Sequence, residues 1–223
     1  MISCNILFDE NDLAMAPDKI RLLISKFGKS YANATRDIIR DSIVLDSRGE
    51  VFCRCATRIL SNFGMTRSGP FKGEIQDKLL ACWHQNGPDL LKINQTVLNS
   101  GLSRDRILLE IDYVKREKLI SSIWRMTKNL IPISWTDLSF GLVGSSKILF
   151  SVLPELVLPV DNVQWKKMFK TFDLGDVIRF MAQDIHRWEA NTNLHLNSLD
   201  PTGRLSTLPA VYNVVAMAAR PIG

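Results

Sequence analysis

No zinc knuckle, nucleotide-binding glycine loop or membrane-length apolar run is present in this chain. Cys53 and Cys55, of four cysteines, stand two apart and would point in different directions from a helix, which suits neither a disulfide nor a CxxC metal site. The three histidines, His84, His186 and His195, are dispersed, and no cysteine lies at ligand spacing from them. Neither a Walker A motif nor a dinucleotide glycine fingerprint occurs, so no metal and no cofactor are expected. The longest apolar run, residues 148–160, contains Pro154, Glu155 and Pro159 and cannot cross a bilayer as one helix. Residues 2–8 are too short for a secretion signal and run straight into Asp9 and Glu10. The cysteines therefore read as reduced thiols of an intracellular protein, cytoplasmic or associated with the nucleoid or nucleus. Strand-like alternation, internal repeats and low-complexity tracts are also missing.

What is present is helical. The 223 residues suffice for one large domain or two small lobes, and 46% hydrophobic with 23% charged residues excludes wholesale disorder. The formal charge of +5 suits a polyanionic partner. Amphipathic stripes predict helices over residues 18–27, 31–45 and 51–63. Arg48, Arg54, Arg58 and Arg67 add charge near the third of these, as a solvated face or as a DNA patch. Residues 64–73 (GMTRSGPFKG) read as loop, 74–83 as helix, Gly87-Pro88 as a break, and 89–100 as a further helix. Ser103 is a plausible cap for the longest helical signal, which continues to Leu130. Residues 174–189 and 208–219 complete the set, with a polar, turn-rich 191–207 between them. Trp83, Trp124, Trp135 and Trp188 lie on apolar stripes and read as core. The expected fold is all-α: residues 1–223 form one helical unit, or two helical lobes with a cleft between them.

The chain is organised around residues 140–169, FGLVGSSKILFSVLPELVLPVDNVQWKKMF. A carboxylate, Asp161, interrupts an apolar run just before a new helix begins. Ionised groups avoid such surroundings unless paired or put to use. A turn containing Gly141 and Gly144 would let backbone approach a phosphate, with free N–H groups of Ser145 and Ser146 aimed at it. Asp161 at a helix start can cap that helix, or it can face a cleft and stabilise positive charge developing on a sugar. Trp165, one turn beyond, can stack on a base or fill the core.

Residues 158–165 (LPVDNVQW) resemble the segment that carries the catalytic aspartate of helix-hairpin-helix DNA glycosylases, and 141–147 (GLVGSSK) resemble that superfamily's hairpin. The order Ser-Lys, Pro-acid-Leu, Pro-apolar-Asp across residues 146–161 is similar to a pattern in uncharacterised relatives, and residues 208–218 resemble their last helix. The resemblance implies a protein that binds duplex DNA and hydrolyses the N-glycosidic bond of a flipped base, with Asp161 as the acid and Asn162 donating a hydrogen bond near it. It also implies backbone contacts from Gly141, Gly144, Ser145 and Ser146. A non-catalytic binding module on the same scaffold is the alternative. The four-cysteine iron–sulfur cluster of some superfamily members has no counterpart after Asp161. In lyase-type members a hairpin lysine attacks the sugar, and it stands two positions after the second glycine, where this chain has Ser146. Lys147 comes one position later, about a hundred degrees further round a helix. It is expected to face elsewhere and to contact phosphate rather than act as a nucleophile.

Overall fold

The computed structural model describes residues 6–7, 16–26, 43–73, 75–200, 205 and 207–219. Among them the regular structure is helical and contains no strand, so the fold is all-α. Helix α1 (Pro17–Lys26) opens on a proline, whose missing N–H would have had no helical partner anyway, and turns Ile20 and Ile24 inward. Of the predicted helix over residues 31–45, positions 31–42 lie outside the described residues. Residues 43–46 are not helical, because Asn94 takes their backbone groups: Leu45 N–H donates to its carbonyl oxygen at 3.1 Å and its amide donates to the Ile43 carbonyl at 2.6 Å.

Helix α2 (Glu50–Asn62) begins after Gly49, which has φ 81° and no capping side chain. Asp46 does that work from outside the helix, accepting hydrogen bonds from the N–H groups of Arg48, Glu50 and Val51 at 2.9, 3.1 and 2.7 Å. Burial raises the Asp46 pKa, yet these backbone donors hold the carboxyl below its usual range. A β-carbon at Gly49 would lie 2.4 Å from the Trp83 ring, and one at Gly87 would lie 2.9 Å from it. Trp83 is thus seated between two glycines, with its ring N–H donating to the Ser47 carbonyl at 3.3 Å.

Helix α3 (Ile75–Leu98) runs through the expected break at Gly87-Pro88. Pro88 is exposed, and so is His84, whose carbonyl loses its N–H partner to the proline ring and can turn to water. Contacts on both sides of the proline keep the helix whole. Asn129 donates to the Asn86 side chain at 2.9 Å, and Arg125 pairs with Asp89 at 2.7 Å.

The single long helix expected from Ser103 is two. A short α4 (Ile107–Glu110) precedes α5 (Tyr113–Leu130), and the cap is Asp112, which accepts from Lys115 N–H at 3.1 Å. Arg106, just before α4, makes a two-pronged pair with Glu189 at 2.5 and 2.8 Å, both side chains nearly buried. That geometry needs Arg106 off the axis of α5, which is a physical reason for the interruption.

Helix α6 (Leu142–Phe150) follows, then a π-helical turn at Gln164–Phe169, helix α7 (Leu174–Thr192) and helix α8 (Leu208–Ala219). Helix α2 packs on α3 and α6; α5 packs on α3, α6 and α7; α1 and α7 both pack on α8. Every residue of α6 is buried, and so is every residue from Ser151 to Val160. A helix without a polar face belongs at the centre of a fold, and α6 is there. The buried Glu155 of the Pro-acid-Leu turn is held by Arg104. Burial raises its pKa and the guanidinium opposes that rise.

Gly49→Ala is expected to lower unfolding stability by at least about 1–3 kcal/mol, combining left-handed backbone strain with displacement of Trp83. Urea denaturation measures this; a variant as stable as wild type would contradict the seating of Trp83.

Candidate active site

Gly141 is the N-cap of α6, with φ 76°, and a β-carbon there would lie 2.4 Å from the Ile131 carbonyl oxygen. Glycine is required by that close approach and by the positive φ. Gly144 is not part of a turn. It lies inside α6, where a β-carbon would come within 2.8 Å of both Phe71 and Ser134. Ser145 N–H donates to Gly141 O at 3.1 Å, and the Ser145 and Ser146 hydroxyls donate to the Gly141 and Val143 carbonyls at 2.8 and 3.0 Å. Both serines are fully buried. The expected phosphate cradle is therefore absent from these four residues: the glycines serve close packing, and the hydroxyls are satisfied within the helix.

Asp161 is half-buried and caps the π-helical turn reciprocally. Its carboxylate accepts from Gln164 N–H at 2.8 Å, and the Gln164 side-chain carbonyl accepts from Asp161 N–H at 2.7 Å. This is a capping box, legible in the spacing Asp161-Asn-Val-Gln164. The Gln164 amide then donates to Asn213 of α8 at 2.8 Å. Asn213 was not singled out by sequence reasoning. Its signal was its position as a lone amide in the otherwise apolar LPAVYNVVAMAA.

Lys147 departs from expectation. Its side chain is only 9% exposed, which leaves little room for a phosphate contact, and its ammonium lies 4.6 Å from the centre of the Phe63 ring. Burial pushes its pKa down to about 8, and the nearby charge of Asp161 opposes that fall. The two residues that the motif separates by fourteen positions thus interact electrostatically. Phe63 is a second residue the sequence did not mark.

Asn162 is partly exposed, as the first helical residue after Asp161. Trp165 is core, 1% exposed, but its buried ring N–H finds no acceptor among the described residues. An unpaired buried donor costs about 1–3 kcal/mol, and π-helical turns often accompany functional sites. Chemically, burial favours the neutral form of the amine, the form that can act as a nucleophile, while the charge of Asp161 acts on it from nearby.

Two surface grooves, of about 610 and 700 Å³, are lined by neither Lys147 nor Asp161. Among the described residues no three His, Cys, Asp or Glu side chains come together as a metal-holding group, and no helix is long and apolar enough to cross a membrane. Cys53 and Cys82 are buried thiols, and burial drives Cys82 up to about 12. Comparison with protein-family descriptions, curated proteins and solved structures finds no match.

Replacing Lys147 with methionine is expected to stabilise the fold at pH 7. The folded pKa of about 8 lies below the ordinary lysine value of 10.5, so the charged form is penalised on folding. Between those values the unfolded chain binds more protons than the native one, and wild-type stability rises with pH. The advantage of Lys147→Met should therefore shrink from pH 8 to pH 10, as chemical denaturation at a series of pH values would reveal. A constant difference would contradict a depressed lysine.

Proposed function

We propose that this chain is a helix-hairpin-helix glycosylase-like protein of DNA repair that binds duplex DNA and breaks the N-glycosidic bond of a flipped base. The reading is carried by Lys147, buried with its ammonium 4.6 Å from the centre of the Phe63 ring, where burial disfavours its charged form and the charge of Asp161 acts on it. At pH 7 such a lysine is roughly one-tenth neutral, against roughly three in ten thousand at its ordinary pKa. In the proposed step the neutral Lys147 amine attacks C1′ of the sugar, and the base leaves with the electrons of the glycosidic bond. Asp161 stabilises the positive charge that develops on the sugar. The departing base takes up the proton that the attacking nitrogen loses, and the C1′–O4′ bond opens to leave an imine between Nζ and C1′. Water then hydrolyses that imine, returning the amine and an abasic sugar. The two-lobe arrangement belongs to the same proposal. Helices α3 and α6 pack on α5 and α2 packs on both of them, whereas α7 packs on α5 and α8 packs on α7, which supports a division along α5.

A second reading, a non-catalytic helical binding module, draws on the burial of Ser145 and Ser146 and on the use of Asp161 as a cap. The two are separated by single-turnover assays on duplexes bearing deaminated, oxidised or alkylated bases, with borohydride present to trap an imine. The proposal expects excision and a trapped complex. Asp161→Asn should slow excision about 10²–10⁴-fold, and Lys147→Gln should abolish trapping. Absence of excision and trapping across the panel would leave the second reading standing.

A further inference from the structure

The larger groove is lined by neither Lys147 nor Asp161. Trp124, Trp135, Phe140 and Phe172 line it together with Ile131 and Leu142. Trp135, expected in the core, is 50% exposed, and Phe172 is 53% exposed. The rings are ordered edge to face: Trp135 and Phe140 have centroids 5.6 Å apart at 69°, and Phe140 and Phe172 are 6.1 Å apart at 86°. Phe140 holds φ 48°, an uncommon value for a bulky residue, immediately before the constrained Gly141. That strain places an aromatic ring at the middle of the row.

The groove is bordered by cations. Lys128 lines it, with its ammonium 5.7 Å from the Trp124 ring centre. Lys166 has its ammonium 5.0 Å from the Phe140 ring centre and donates to the Leu138 carbonyl at 2.8 Å. Lys167 and Lys170 are exposed on the same π-helical turn and its end. None of the four lysines has a carboxylate partner among the described residues. Asp173 also lines the groove, but its carboxylate accepts from Gly175 and Asp176 N–H as the cap of α7. Asp137 is the exposed acid of the adjoining loop. Asp176 is bonded to Thr171 of the lining at 3.2 Å but is paired with Arg179, so Lys128 and Lys166 are the cations set against the exposed aromatic rings.

We propose that this groove is a stacking cleft for single-stranded nucleic acid. Bases offer flat apolar faces to Trp135 and Phe172, and the phosphates answer the four lysines. A duplex keeps those faces stacked inside, so the groove favours unpaired strands. An uncharged apolar partner would leave the lysines unanswered. The inference does not depend on chemistry at Lys147 or Asp161.

The test is fluorescence anisotropy with labelled 20-mers of deoxythymidine and of uridine, and with a duplex of equal length, none carrying a damaged base. Binding of the single strands is expected to be tighter than that of the duplex and to weaken as salt rises. Trp135→Ala and Phe172→Ala should each weaken it roughly 5- to 150-fold, the range for loss of one base–aromatic stack. The double substitution Lys128→Glu with Lys166→Glu should also weaken it and flatten the salt dependence. Because Trp135 and Phe172 are half exposed, thermal melting is expected to find both alanine variants folded, and the lysine variants provide a second probe if either is not. Absence of single-strand binding at low salt, or unchanged binding in all these variants, would overturn the proposal. So would loss of self-association in Trp135→Ala with oligonucleotide binding intact, which would assign the groove to a second copy of the chain.

Discussion

Helix α6 has no solvent face, and the rest of the architecture follows from that constraint. Nine consecutive residues, Leu142–Phe150, are buried, including a lysine and two serines. The serines are accommodated by returning their hydroxyls to carbonyls of their own helix. A lysine differs, because its long stem carries a full charge away from the carbonyls of its own turn, here to the Phe63 ring. Its charge is accommodated by the Phe63 ring and by Asp161, and where these do not suffice, it titrates early. The close approach of α6 to its surroundings depends on two glycines. Gly141 clears the Ile131 carbonyl, and Gly144 clears Phe71 and Ser134. The glycines bring the helix into the core, and the core then perturbs the lysine.

Asp161 is held by the opposite logic, through hydrogen bonds more than through packing. The reciprocal cap with Gln164 fixes its backbone and one carboxylate interaction, and Gln164 extends the connection to Asn213 on α8. One polar chain therefore ties the π-helical turn to the last helix through a region of apolar side chains. Such a connection gives the carboxylate a defined position, which charge stabilisation of a reacting sugar would require. It also means that the acid contributes to the fold whether or not it contributes to chemistry. Activity and stability at this residue must be measured separately.

Much of the helical pattern was legible because it rests on local periodicity. Residues 174–189 of α7 and the whole of α8 are readable from their apolar stripes, and α1 is readable within a residue of its ends. Failures came where tertiary contacts override local signals. Gly87-Pro88 reads as a break, but the glycine seats Trp83 and the proline lies on an exposed face. Ser103 reads as a cap, but Asp112 takes that role and Arg106 is drawn to Glu189. In the candidate site the Asp161 cap was visible from its position before a helix. The interaction of Lys147 with Asp161 was not, because it depends on where α6 starts, and helix phase inferred from two glycines assumed a turn that does not form. Phe63 and Trp135 could not be placed from sequence, since an aromatic residue on an apolar stripe looks the same whether it ends up in the core, over a lysine or in a groove.

The fold holds Lys147 buried, with its charged form disfavoured and the charge of Asp161 acting on it. Titration of the protein with its lysines labelled at Cε, followed by nuclear magnetic resonance, tests this directly, with Lys147→Met identifying the resonance. One lysine is expected to titrate with a midpoint near 8, and at a still lower midpoint in Asp161→Asn because the opposing charge is gone. A Lys147 midpoint near 10.5, unmoved by Asp161→Asn, would contradict it.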